Sequence, residues 1–131
     1  MKRLIPIATA LLLGPYAWTG SRTITTTGFF ADEGCAKGRA NSGFYTNTNP
    51  ECARKCLAKG SALVFIDERA KAMYVVKDYT GASEDLSYHL EITGVLDDAA
   101  KTLTIDAVKH LEPVVVSCSR SRASLASGKQ R

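Results

Sequence analysis

The sequence predicts a mainly β chain that curls into a small five-stranded barrel, and three observations lead there. Runs of β-branched and aromatic residues recur between turn-forming clusters. Two late segments alternate apolar and polar residues one by one, the period of a half-buried strand. A glycine, Gly94, breaks into one of those strands, where a sheet bulges or bends.

The first strand is "TITTTGFFA", Thr23 to Ala31, ending at an acidic turn. The next stretch, "DEGCAKGRANSGFYTNT", is loaded with Gly, Asn, Ser and Thr and reads as a loop. "NPECARKCLAKG" then spells a short helix. Asn49 caps it, Pro50 fits its first position, Glu51 faces the positive end of the dipole, and Lys59 with Gly60 closes it. Two apolar runs around a charged turn, Asp67 to Lys71, read as a hairpin of Ala62 to Ile66 and Ala72 to Val76. Their weak alternation suggests burial on both faces. A short helical turn is expected near Ser83 to Tyr88, with Glu84 and Asp85 at its start. "HLEITGVLD" places Leu90, Ile92, Gly94 and Leu96 on one face, and "TLTIDAVKHL" groups Leu103, Ile105 and Ala107.

The chain opens with Lys2 and Arg3 before an apolar run from Leu4 to Leu13, the layout of a secretory signal and too short to span a bilayer. Pro6 and Pro15 oppose the competing reading, a buried helix. The organisation expected is a signal peptide over 1–20, one domain over 21–112, and a tail over 113–131 that is disordered after Cys118. The destination is the periplasm or the exterior, with no transmembrane segment in the mature chain. The formal charge of +4 is concentrated at the two ends. Ser21 to Cys118 holds 11 basic against 13 acidic residues, a poor start for gripping phosphates, so nucleic acid is not the expected partner.

Four cysteines, Cys35, Cys52, Cys56 and Cys118, in a chain that leaves the cytosol favour disulfides. In a helix, residues four apart have Cβ atoms about 5 to 6 Å apart, whereas a disulfide wants roughly 3.5 to 4.5 Å. Cys52 and Cys56 are therefore expected to pair elsewhere, with Cys35 and Cys118 as the remaining partners. Each staple closing a loop of some 15 to 20 residues contributes about 3 kcal/mol. The competing chemistry is a soft-metal or thiol-redox site. The helix start favours the thiolate of Cys52, and Cys35 and Cys56 complete a three-sulfur set for Zn(II) or Cu(I). Cys-x3-Cys is a weak motif, and no histidine lies in the loop.

Other candidates carry less. His89 and His110, the only histidines, have no Cys, Ser or carboxylate in a catalytic spacing and read as solvent-facing or capping. Asp97 and Asp98 make a polar turn, with Ca(II) the less favoured reading. Phe44, Tyr45, Tyr74, Tyr79 and Tyr88 offer stacking surfaces, about half of them expected in the core. No nucleophile elbow, phosphate loop or metalloprotease motif is present.

The run from Thr27 to Lys109, with Cys35, Cys52, Cys56 and Gly60 carrying most of the match, resembles a group of small exported bacterial proteins without an established activity. Their strand–cysteine, Cys-x3-Cys helix, hairpin and Thr-Gly strand imply an oligonucleotide/oligosaccharide-binding (OB-like) barrel. Residues alone point the same way, because a small all-β chain must curl to hide its edges. An open α+β sheet carrying the cysteine helix on one face is the runner-up. Some members place a histidine after the first cysteine. Here that stretch is "AKGRA", which weakens the metal reading. The expectation is a non-catalytic, disulfide-braced OB-like module for an envelope or extracellular ligand, without a cofactor.

Overall fold

The structure, a computed structural model, describes residues 20–115. The expected signal segment, most of the tail and Cys118 lie outside them. The elements run β1 (Ser21–Asp32), α1 (Glu33–Asn41), α2 (Pro50–Ala58), β2 (Leu63–Asp67), β3 (Ala72–Lys77), α3 (Ala82–Asp85), β4 (Tyr88–Asp97) and β5 (Thr102–Pro113).

The strands join in a ring in the order β1-β2-β3-β5-β4, with β4 pairing back onto β1. Every pairing is antiparallel except β3 with β5, where Val75, Val76 and Lys77 face Thr102, Leu103 and Thr104 in parallel. An open sheet, the runner-up, is therefore not what forms.

β1 divides its length between its two neighbours. Ser21 to Gly28 of β1 pair with β4, and Gly28 to Asp32 pair with β2. Gly28 lies at the hand-over, where a Cβ would sit 1.9 Å from the Ile66 carbonyl oxygen. No side chain fits that close approach, so the strand can curl only at a glycine. Gly94 plays the same part between β4 and β5, with its would-be Cβ 2.3 Å from the Thr104 oxygen. The β4–β5 register shifts at Thr93/Gly94, as the sequence suggested, and again at His89/Leu90.

Those shifts correct one expectation. Ala107 does not join Leu103 and Ile105 inside; it is exposed. The pairing skips Asp106, so the following residues reverse faces, and Val108 and His110 stand opposite Ile92 and Leu90.

The interior is filled by Phe30, Phe65, Leu90, Ile92, Leu96 and Leu103, with Tyr74 and Leu86 at its ends. Ala53 and Leu57 of α2 pack into the same core. β2 is buried on both faces as expected, because Val64 and Ile66 point outward under Ala36 of α1 in a second cluster. The expected loop at 32–48 is thus a helix over most of its first half. Gly34 and Gly38 each cost α1 about 1 kcal/mol relative to alanine, which hides it from composition. It forms through its ends and its buried face: the Asp32 carboxylate accepts from the Cys35 N–H at 3.1 Å. Glu33 also pairs with Lys37 at 2.5 Å.

α2 forms as read. Asn49 Oδ1 accepts from the N–H groups of Glu51 (2.9 Å) and Cys52 (3.4 Å). At the other end Gly60 has φ +98°. Its N–H bonds the Leu57 carbonyl and that of Ser61 bonds the Cys56 carbonyl, the paired closure that a left-handed residue allows. α1 ends the same way at Gly43, φ +82°. The short turn α3 is also present, but Asp85 ends it rather than starting it.

Candidate functional site

Three groups of chemistry-bearing residues stand out, and the first lies at the mouth of the ring. Because β1 leaves β4 for β2 only at Gly28, its first half stands apart from the tip of the β2–β3 hairpin. The gap holds a cavity of about 330 Å³. Ile24 and Leu96 give it an apolar lining, and Thr26, Asp67, Tyr74 and two arginines add polar groups. Asp67 is 3% exposed. Its Oδ1 accepts from the Thr26 hydroxyl at 3.0 Å and from the Arg69 and Ala70 N–H groups at 2.9 Å each, which ties the hairpin tip to β1.

The arginines differ. Arg22 Nε meets Asp98 Oδ2 at 2.7 Å across the β4–β5 turn. That hydrogen bond holds the Asp98 carboxyl below its ordinary range and raises Arg22. Arg69 forms no salt bridge with a carboxylate among the described residues. Burial, and then the carboxylates of Asp67 and Asp98, push the Tyr74 phenol up. Asp97 caps the turn by accepting from the Ala99 and Ala100 N–H groups at 3.0 Å each, so the plain polar reading of Asp97 and Asp98 fits their contacts.

The second group is a pair of histidine–carboxylate contacts that sequence spacing did not reveal. His89 Nε2 lies 2.7 Å from Glu68 Oε1, which also accepts from the Thr27 hydroxyl at 2.7 Å. Phe29 stacks on the imidazole at 4.8 Å. His110 Nε2 lies 2.6 Å from Asp85 Oδ1, and Tyr88 stacks on it at 4.1 Å. Tyr79 donates its hydroxyl to the other Asp85 oxygen. Burial, followed by that contact with Asp85, raises the Tyr79 phenol well above the usual tyrosine range. The partners are 21 and 25 residues apart, so only the ring brings them together.

The third group is the thiols. Cys35, on the first turn of α1, and Cys52, on the first turn of α2, are exposed, and Cys56 is half-buried. All three are free thiols. Burial raises the Cys35 thiol first, then the Asp32 carboxylate, with smaller contributions from Cys56 and Cys52. No three His, Cys, Asp or Glu side chains among the described residues form a ready-made metal set. Asp32 is 2% exposed, and its Oδ1 has no hydrogen-bond partner.

The five candidate stacking aromatics occupy different settings. Tyr74 is in the core, Tyr79 and Tyr88 pack against it, Tyr45 supports the outer cluster, and Phe44 is 58% exposed. No described helix is long and apolar enough to cross a membrane. No protein-family model, curated protein or solved structure matches the chain, so the site is read from its own residues.

Proposed function

We propose that this protein is an exported OB-like module that binds a polyhydroxylated envelope or extracellular ligand, a saccharide in chemical class, at the mouth of its ring. Two features support the OB-like assignment. The strand order β1-β2-β3-β5-β4 has a single parallel pair, and a short helix, α3, lies between β3 and β4 with Leu86 beneath it in the core. Export rests on Lys2, Arg3 and the apolar run after them.

The observation that carries the binding reading is the mouth cavity. It combines an apolar lining with the donors Arg22 and Arg69, the Thr26 and Tyr74 hydroxyls, and the Asp67 carboxylate. A sugar presents hydroxyls that both donate and accept, and a site of few polar groups on an apolar base suits it. Nucleic acid is disfavoured by the slight excess of acids between Ser21 and Cys118.

The module is read as a binder rather than a catalyst. Each imidazole is held edge-on by a carboxylate and face-on by an aromatic ring, an arrangement that ties β4 to the β2–β3 turn and β5 to α3. Calorimetric titration of the full chain with water-soluble envelope polysaccharide fragments tests the reading. Saturable binding that falls about tenfold or more in Arg69→Ala supports it, since a charged hydrogen bond contributes roughly 1.5 to 3 kcal/mol. Binding that Arg69→Ala leaves unchanged, or no binding at all, overturns it.

A further inference from the structure

We propose that the ligand unit read at the mouth of the ring is an acidic sugar, its carboxylate held by Arg69 and a neighbouring hydroxyl by the Tyr74 phenol. This rests on the mouth reading and deepens it, by naming the ligand's charge and the two groups that read it.

Tyr74 is the first observation. It is 4% exposed and belongs to the core, yet it also lines the mouth cavity. Its hydroxyl makes no hydrogen bond with any described residue. The unpaired side-chain atom sealed from solvent among those residues is Asp32 Oδ1, so the Tyr74 oxygen is not enclosed in the core and opens on the cavity. A buried tyrosine hydroxyl ordinarily finds a partner. Here a ligand hydroxyl in the cavity supplies it, as both donor and acceptor.

The second observation is how charge is distributed around the cavity. Arg22 is committed: Nε and Nη2 meet the two Asp98 oxygens at 2.7 and 3.3 Å. The acids of the two flanking turns are also supplied with donors. Asp67 accepts from Thr26 and two backbone N–H groups, Glu68 from Thr27 beside His89, and Asp97 from two further N–H groups. Arg69 is different. It lines the cavity, its side chain is exposed, and it forms no salt bridge among the described residues. Its own N–H is fixed at 2.9 Å by Asp67, which anchors the base of the side chain at the hairpin tip. The cavity thus has one cation without an ion partner, on an anchored backbone.

A guanidinium is a planar fork that matches a carboxylate with two parallel hydrogen bonds. A phosphate monoester would bring a charge of about −1.5 to −2 at neutral pH, more than one unpaired cation balances, whereas a carboxylate brings one. Ile24 and Leu96 give the sugar ring an apolar surface to lie on, between the fork and the phenol.

Calorimetric titration of the full chain with an oligogalacturonate, and with the same oligosaccharide after reduction of its carboxyl groups to alcohols, tests this. The acidic form is expected to bind about tenfold tighter or more. That ratio should fall toward one in Arg69→Gln and be partly kept in Arg69→Lys. Tyr74→Phe should weaken both forms by about threefold to tenfold and leave their ratio unchanged, as befits a group that reads a hydroxyl. Equal binding of the two forms, or a ratio that survives Arg69→Gln, overturns the acidic-sugar inference and leaves the mouth as a site for neutral sugars. Binding of neither form overturns it too, and the mouth reading falls with it only where neutral envelope fragments also fail to bind. Acetate and inorganic phosphate, compared as competitors at equal concentration, identify the anion: stronger displacement by phosphate overturns the carboxylate.

Discussion

His110 Nε2 and Asp85 Oδ1 stand 2.6 Å apart, joining the far end of β5 to the turn that leads into β4. Tyr79 shares the same carboxylate. Asp85 is only 6% exposed, but its partners His110 and Tyr79 reach solvent. Asp85→Ala is therefore expected to cost about 1 kcal/mol, the net worth of hydrogen bonds that water can partly replace. Asp85→Asn keeps an acceptor for Tyr79 and should cost less. Urea unfolding of both variants measures this, and an Asp85→Ala protein as stable as the parent contradicts the pairing.

Gly28→Ala and Gly94→Ala test the curl of the ring. Each new methyl group meets a backbone oxygen, of Ile66 or Thr104, which cannot swing aside as a side chain does. Each substitution is expected to cost about 3 kcal/mol or prevent folding. Gly38→Ala meets nothing within 4 Å. It should stabilise α1 by a few tenths to about 1 kcal/mol. Thermal melts of the three proteins side by side should show opposite signs.

The ends of α2 provide a smaller, graded test. Asn49→Ala removes the acceptor for two N–H groups and should cost about 1 kcal/mol. Gly60→Ala forces an L residue to φ +98° and should cost a similar amount. Helix content by circular dichroism should fall at the α2 end in both, while the strand signal remains.

Stability should decline on both sides of neutrality for identifiable reasons. Burial, the largest single effect on Glu68, works to raise its carboxyl. The hydrogen bonds from Thr27 and His89 and the charge of His89 outweigh it and leave Glu68 below the ordinary value. A folded-state value below the unfolded one stabilises the protein above the unfolded value, about 4.3, and the gain disappears as pH falls through the folded value. Thr27→Val should therefore flatten the acid limb. Tyr79 runs the opposite way. Its raised folded value stabilises the protein fully below the unfolded value, about 10, and that gain is lost as pH rises beyond it. Tyr79→Phe should remove this alkaline limb. Urea midpoints across the pH range report both.

Much of the fold was legible because its signals are local. Asn49, Pro50 and Gly60 fix α2 through neighbouring backbone groups, and the alternation of Leu90, Ile92 and Leu96 marks one face of β4 without reference to a partner. Gly94 announced its bulge because a strand tolerates glycine for few other reasons. Gly28 carried the same message but sat among threonines and phenylalanines that read as uninterrupted strand. α1 was hidden because Gly34 and Gly38 are poor helix formers, and what decides its state is the cap from Asp32 and the burial of Ala36 against β2. The faces of Ala107 and Val108 depend on skipping Asp106, which is settled by pairing with β4 rather than by β5's own residues.

The candidate sites were less legible for the same reason. Glu68 with His89 and Asp85 with His110 are distant in sequence, and no spacing rule joins them. Arg22, Asp67 and Arg69 line one cavity only because β1 divides its pairing at Gly28. The cysteines were visible as chemistry from the start.

The central claim is that the mouth of the ring is the ligand surface, and chemical-shift mapping of the isotope-labelled full chain with envelope polysaccharide fragments tests it most directly. The account predicts saturable shifts centred on Arg22, Thr26, Arg69 and Tyr74. Shifts confined to α1, α2 or the histidine pairs, or a spectrum unmoved by every fragment, would contradict it.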